Sequence, residues 1–95
     1  MTSKQRAMLR SMANTMETIL YIGKDGVTDA TVKEAYDALE ARELIKCAVQ
    51  NGCELTASQA SSLLAERTHA ECVQCIGRRF VLYRQSRENK RIVLE

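Results

Sequence analysis

In Ile22-Gly23-Lys24-Asp25-Gly26, two glycines bracket a lysine and an aspartate, in a chain with only four glycines. Glycine lets the backbone turn tightly and lets another backbone come close. Between a strand and a helix start, such a loop lies where backbone N–H groups favour an anion. Lys24 at the tip adds a charge and a donor. That combination suits a phosphodiester, with Asp25 shaping the loop rather than meeting the ligand. The nucleotide fingerprints GxGxxG and GxxxxGK[ST] are absent, and a turn with no ligand would also use these glycines.

Basic side chains form two further groups. Lys4, Arg6 and Arg10 come early, on a segment with helical period, and are expected to face outward. Positive charge in a first helical turn opposes the helix dipole, an odd placement if stability were the only demand. A solvated face is the plain alternative. The second group is Arg78, Arg79, Arg84, Arg87, Lys90 and Arg91. Arg79, Val81 and Tyr83 should share one face of a strand, with Phe80 and Leu82 on the other. Lys46 and Gln74 interrupt apolar strands and mark a face that helices leave open. Guanidinium groups with a tyrosine can hold phosphate and stack a base. A charged edge that prevents aggregation is the competing explanation.

Other chemistry is thinly supported. Cys72-x-x-Cys75 could be a dithiol or half a zinc site, completed by Cys47, Cys53 or His69. On a strand, however, positions three apart point to opposite faces, and buried thiols are the expectation. His69 has no identifiable catalytic partner and is expected on an exposed loop. Glu34, Asp37, Glu40 and Glu43 fall on the polar side of a helix, where solvation is the usual meaning. No metal, cofactor or catalytic residue is expected.

The elements that must position these residues follow from periodicity. A helix is expected over about 4–13 with Ser3 as N-cap, its apolar side formed by Leu9, Met12, Ala13 and Met16. Residues 14–17 form a loop and 18–22 a strand. A helix starts at Thr28 or Asp29 and runs to Arg42, followed by a strand through 43–50 and a break at Asn51-Gly52. Thr56 and Gln59 form a capping box for a helix to about Arg67. Strands at 71–77 and 79–84 flank the turn Gly77-Arg78. The order α-β-α-β-α-β-β implies βαβ crossovers and a final antiparallel hairpin. The fold class is therefore α/β (α+β), two-layer, with a four-stranded mixed sheet. GxxG loops clamp nucleic-acid backbone in KH domains, but there the loop joins two helices, so that topology does not fit.

Ninety-five residues, 45% apolar and 27% charged, make one domain with a modest core. The segment 85–95 is charged, lacks a clear period and is expected to be flexible. No apolar run reaches the ~20 residues of a membrane span, and the first residues lack the apolar core of a signal peptide. A cytoplasmic protein with reduced cysteines is expected, and a monomer is the default. Net charge is only +2 but is unevenly spread. Residues 1–24 carry four basic and one acidic side chain, 25–71 four and nine, and 72–95 six and two. If the ends meet, they make one positive surface.

The strings TSKQRAMLRSMAN, IGKDGVTDATVKEAYDALEARELIK and VQCIGRRFVLYR, together spanning roughly 2–92, closely resemble YhbY-type proteins. These are bacterial single-domain members of the CRM family (chloroplast RNA splicing and ribosome maturation). The resemblance implies a fold like the C-terminal domain of bacterial translation initiation factor three, with strand order 1-2-4-3 and a helix added in front. It implies RNA binding without catalysis and association with precursors of the large ribosomal subunit; plant relatives serve group II intron splicing. It carries the RNA surface onto Gly23, Lys24, Asp25 and Gly26, onto Lys4, Arg6 and Arg10, and onto Lys46 and Arg78. Arg79 and Arg84 join them from the C-terminal basic group. The cysteines at 47, 72 and 75 stand where relatives often have small apolar residues, and residues 51–59 are atypical. A module docking on ribosomal or assembly proteins through the acidic second helix is the main alternative to RNA binding, with a thiol or zinc protein behind it.

Overall fold

The computed structural model describes residues 1–94; Glu95, the end of the expected tail, lies outside the described residues. The elements are α1 (Ser3–Ala13), β1 (Thr18–Ile22), α2 (Asp29–Arg42), β2 (Leu44–Val49), α3 (Ala57–Thr68), β3 (Glu71–Ile76) and β4 (Arg79–Tyr83). Three Thr-x-x-Gln/Thr boxes start the three helices. Thr2 with Gln5, Thr28 with Thr31 and Thr56 with Gln59 each satisfy two backbone donors reciprocally. The first corrects the expected Ser3 cap: Gln5 stands three residues after Thr2, so the box selects Thr2.

The sheet runs β1-β2-β4-β3. β1 and β2 pair in parallel through α2, while β4 pairs antiparallel with both β2 and β3. The Gly77-Arg78 connection is too short for anything but a hairpin. Gly77, at φ +60°, takes the left-handed first position that a two-residue hairpin turn requires. β4 therefore lies beside β3 and fills the space next to β2.

α2 and α3 cover one face and make the two-layer body. Ala35, Leu39, Ala60 and Leu64 pack on Leu20, Ile45, Cys47, Phe80 and Leu82. α1 adds a partial third layer on the other face, where Leu9 and Ala13 meet Leu44, Val73, Val81 and Tyr83. It is short, 11 residues or about 16 Å, and leaves the rest of that face uncovered. Among the described residues no helix is long and apolar enough to cross a membrane.

Beyond β4 the chain folds back over the end of α2. Arg84 donates to the carbonyl of Thr68 and pairs with Glu40, and its guanidinium lies 4.3 Å from the centre of the Tyr36 ring. The Glu43 carboxylate, fully buried, accepts from the backbone N–H groups of Ser86, Arg91 and Ile92. Burial alone would push the Glu43 pKa up; the three N–H donors outweigh it and carry it below the ordinary carboxylate value. Glu40 is also lowered, first by the N–H of Arg87. Contrary to the expectation from the sequence, these two carboxylates are not part of a solvated helix face; Glu34, exposed, and Asp37, exposed and paired with Lys33, fit that description.

Candidate nucleic-acid interface

All four glycines gather at one end of the sheet, where β1 and β2 end and the β3–β4 hairpin turns. The N–H of Gly26 donates to the Gly23 carbonyl at 3.0 Å and closes a tight turn. Gly26 has φ +70°, and a Cβ there would sit 3.4 Å from Leu55. Gly23 has no such backbone demand. Lys24 and Asp25 are exposed at the tip, and neither side chain has a hydrogen-bond or ion-pair partner among the described residues. Contrary to the expectation from the sequence, the Asp25 side chain therefore makes no hydrogen bond that shapes the loop. The helix behind contributes less anion affinity than its position suggested. Thr28 already takes the N–H of Thr31, and Asp29 in the first turn brings its own negative charge, paired with Arg67 at 2.9 Å.

Next to this end lies the uncovered half of the sheet. Register places Tyr21, Ala48, Arg79 and Ile76 in one row across the four strands, and Thr18, Lys46, Val81 and Gln74 in the next. A groove of about 560 Å³ follows the β2, β4 and β3 part of these rows, bounded by Asn14 at the end of α1 and by Arg78 at the hairpin; Thr18 and Tyr21 of β1 line an adjoining hollow that shares Lys46 and Arg79 with it. Lys46 and Gln74 do line an open surface, but it is half a face, because α1 covers the remainder. The Lys46 amine donates to the Met16 carbonyl at 3.3 Å, which holds it at the groove wall.

The basic residues divide into those facing solvent and those used by the fold. Arg78 and Arg79 are exposed at the hairpin, whose Arg78 carbonyl accepts from the N–H of Val49 at 2.8 Å. Arg10 is exposed on α1 one turn before Asn14, and Lys4 lies at the far end of that helix. Arg6 does not face outward. Its guanidinium binds the carbonyls of Cys72 and Val73 on the edge strand β3. A β-bulge explains this: Cys72 pairs with Leu82 and Gln74 with Val81, so Val73 is an extra residue and the ladder is locally disrupted there. Arg84, expected in the RNA surface, is half-buried in its contacts with Glu40, Thr68 and Tyr36. Tyr83 shares a face with Arg79 and Val81 as expected, but lies buried under α1. Burial, with Glu43 nearby, raises its phenol pKa. Two tyrosine rings are exposed: Tyr36, which has the Arg84 guanidinium against it, and Tyr21, 55% exposed on the sheet, which the sequence reading passed over.

The same bulge alters the cysteine argument. Cys72 registers with Leu82 and Cys75 with Phe80, residues of one face, so the two thiols point to the same side rather than opposite sides. All four cysteines are free. Burial, with Cys72 and Glu34 nearby, pushes the Cys47 thiol up to about 12, and burial also raises that of Cys75. The buried Cys47 thiol is thus a poor nucleophile. Among the described residues no group of three His, Cys, Asp or Glu side chains could hold a metal ion. His69 is exposed and ends α3 in the left-handed conformation, φ 60°.

Comparison with known proteins bears on this arrangement. The CRS1 / YhbY (CRM) domain profile matches residues 1–84. The chain is 43% identical over 94 residues to the Bacillus subtilis (strain 168) protein named Probable RNA-binding protein YqeI, covering 99% of this chain and 98% of that one. It is 32% identical over 90 residues to a Haemophilus influenzae protein named RNA-binding protein, covering 95% and 91%. The solution structure of hypothetical protein SAV1595 from Staphylococcus aureus superposes with a TM-score of 0.82 at 41% identity, over 100% of this chain and 99% of that one.

Proposed function

The chain belongs to the CRS1 / YhbY (CRM) domain family, and on that premise we propose that it is a non-catalytic, cytoplasmic RNA-binding protein. Its ligand is ribosomal RNA of the large-subunit precursor, gripped by the Gly23–Gly26 loop and the basic residues next to it. The observation that carries this reading is convergence. Lys24, without an internal partner, stands at the same end of the sheet as Arg78 and Arg79, and the Lys46 groove continues from there. Relatives named for RNA binding support the ligand class; the resemblance to YhbY-type proteins supports the ribosomal source. Docking on proteins through the acidic second helix is less favoured, because Glu40 and Glu43 are already occupied by the chain beyond β4.

In this mechanism the loop and hairpin neutralise backbone phosphates and release counterions, so affinity falls steeply with salt. Phosphate contacts carry no sequence information, so the grip itself is general. Binding to large-subunit ribosomal RNA fragments across a salt series tests it. Removing a cation that neutralises one phosphate flattens the slope of log K against log salt by about 0.7 to 0.9. The Lys24→Ala, Arg10→Ala double variant is expected to bind more weakly with a shallower slope. Arg6→Ala, which removes a guanidinium already bound to carbonyls, is expected to keep the wild-type slope wherever it is folded. Equal affinity and slope in wild type and the double variant would overturn the proposal.

A further inference from the structure

We propose that the uncovered half-sheet is a site for an unpaired nucleotide of single-stranded RNA, its base stacked on Tyr21 and its flanking phosphates held by Arg79 and Lys46. This rests on the RNA-binding reading above and adds the class of RNA that the chain selects.

Tyr21 is the anchor. The chain has three tyrosines and one phenylalanine. Phe80 and Tyr83 are buried and Tyr36 lies against Arg84, while Tyr21 stands 55% exposed on a sheet surface. Its neighbour across the parallel pair is Ala48, a small side chain that leaves a shallow floor. Arg79 follows on the next strand, about 10 Å from Tyr21 at ordinary strand spacing. A base lying on Tyr21 thus leaves its phosphate within reach of the long Arg79 side chain. Ile76, 66% exposed, closes the row with an apolar surface for a neighbouring base or sugar.

Charge and hydrogen-bonding groups fit the same occupant. The residues lining the groove include Lys46, Arg78 and Arg79 and no carboxylate, a surface for a polyanion rather than for a mixed-charge protein face. Asn14 and Gln74 offer amides that both donate and accept, as the edges of an unpaired base require. One acid, Glu17, lies in the adjoining hollow with Tyr21, Lys46 and Arg79. It would keep phosphates on the Arg79 side of the ring. A duplex keeps its bases stacked inside and presents backbone to a protein, so an exposed ring on a flat sheet gains from it little that it gains from a splayed base.

The test compares labelled oligoadenylate and oligouridylate of about ten nucleotides with a blunt duplex hairpin, using wild type, Tyr21→Ala, Tyr21→Phe, Arg79→Ala and Lys24→Ala. Loss of one base stack is expected to weaken Tyr21→Ala on single strands about tenfold, with duplex affinity unchanged. Tyr21→Phe keeps the ring and is expected to bind like wild type. Because Tyr21 is exposed, neither substitution should disturb the fold. Arg79→Ala is expected to weaken single-strand binding and flatten its salt dependence. Tyr21→Ala matching wild type on single strands, while Lys24→Ala is impaired, would overturn the stacking site and leave the loop grip standing. Wild type that binds neither single strand yet binds large-subunit ribosomal RNA fragments would overturn the single-strand site and leave the RNA-binding reading standing; wild type that binds no RNA would overturn both. Binding through Tyr21 to ribosomal particles stripped of accessible RNA, with no affinity for oligonucleotides, would give the face to a protein partner instead.

Discussion

Gly23 and Gly26 look equivalent in the string, yet the fold asks different things of them. Gly26 needs its left-handed φ of +70°, while a Cβ on Gly23 would meet nothing nearer than the Gln50 amide oxygen at 3.5 Å. Gly26→Ala is therefore expected to cost about 1 kcal/mol of stability, read from urea denaturation. Gly23→Ala is expected to leave stability unchanged but to weaken RNA binding, because the added methyl keeps a phosphate from the backbone. If Gly23→Ala binds RNA normally, this glycine has no ligand role. Spacing alone could flag the pair; only backbone angles separate a turn glycine from an approach glycine. Tyr21 was legible in principle from the alternation of TILYI, but the irregular register between Thr18 and Leu20 shifts the faces partway along. Arg6 and Arg84 were misjudged for a related reason. A guanidinium on a long stem can turn inward to distant carbonyls, and those partners, near Cys72 and Thr68, are invisible until the chain is folded.

At the scale of elements, order and boundaries were readable because caps and periodicity agree. Thr28 and Thr56 start their helices where the sequence says, and Thr2 repeats the box that marks Thr56. The β3 bulge was not readable, and it reversed the facing of Cys72 and Cys75. Nor was the way residues 84–92 fasten to α2. Glu43, at the end of that helix with φ 67°, receives three backbone donors and Glu40 one more pair. Both carboxylates have pKa values below their ordinary 4.5 in the fold. Their contribution to stability is therefore present above that value and lost as pH falls through the lower folded values. Thermal unfolding followed from neutral pH down to about pH 3 is expected to show this loss in wild type. Glu43→Gln is expected to be about 1–3 kcal/mol less stable at neutral pH and flatter over the acid range. A variant as stable and as acid-sensitive as wild type would show that the clasp contributes nothing.

For the molecule as a whole, the uneven charge acquires a location. α1 packs on β2, β3 and β4, so the basic N-terminal segment meets the basic C-terminal hairpin on one side of the sheet, while the acidic middle supplies α2. Not every cation belongs to that surface: Arg6 and Arg84 help hold the fold, which leaves Lys24, Lys46, Arg78 and Arg79 around the glycine end and groove, with Arg10 beside it. The central claim is that RNA occupies this end and this half-face. Amide chemical-shift mapping of the protein with a large-subunit ribosomal RNA fragment tests it most directly. Shifts are expected at residues 23–26, at 77–79 and along the row of Tyr21 and Ala48, with the outer side of α2 and α3 unmoved. Shifts confined to the outer side of α2 and α3, or no shifts at RNA excess, would contradict the account.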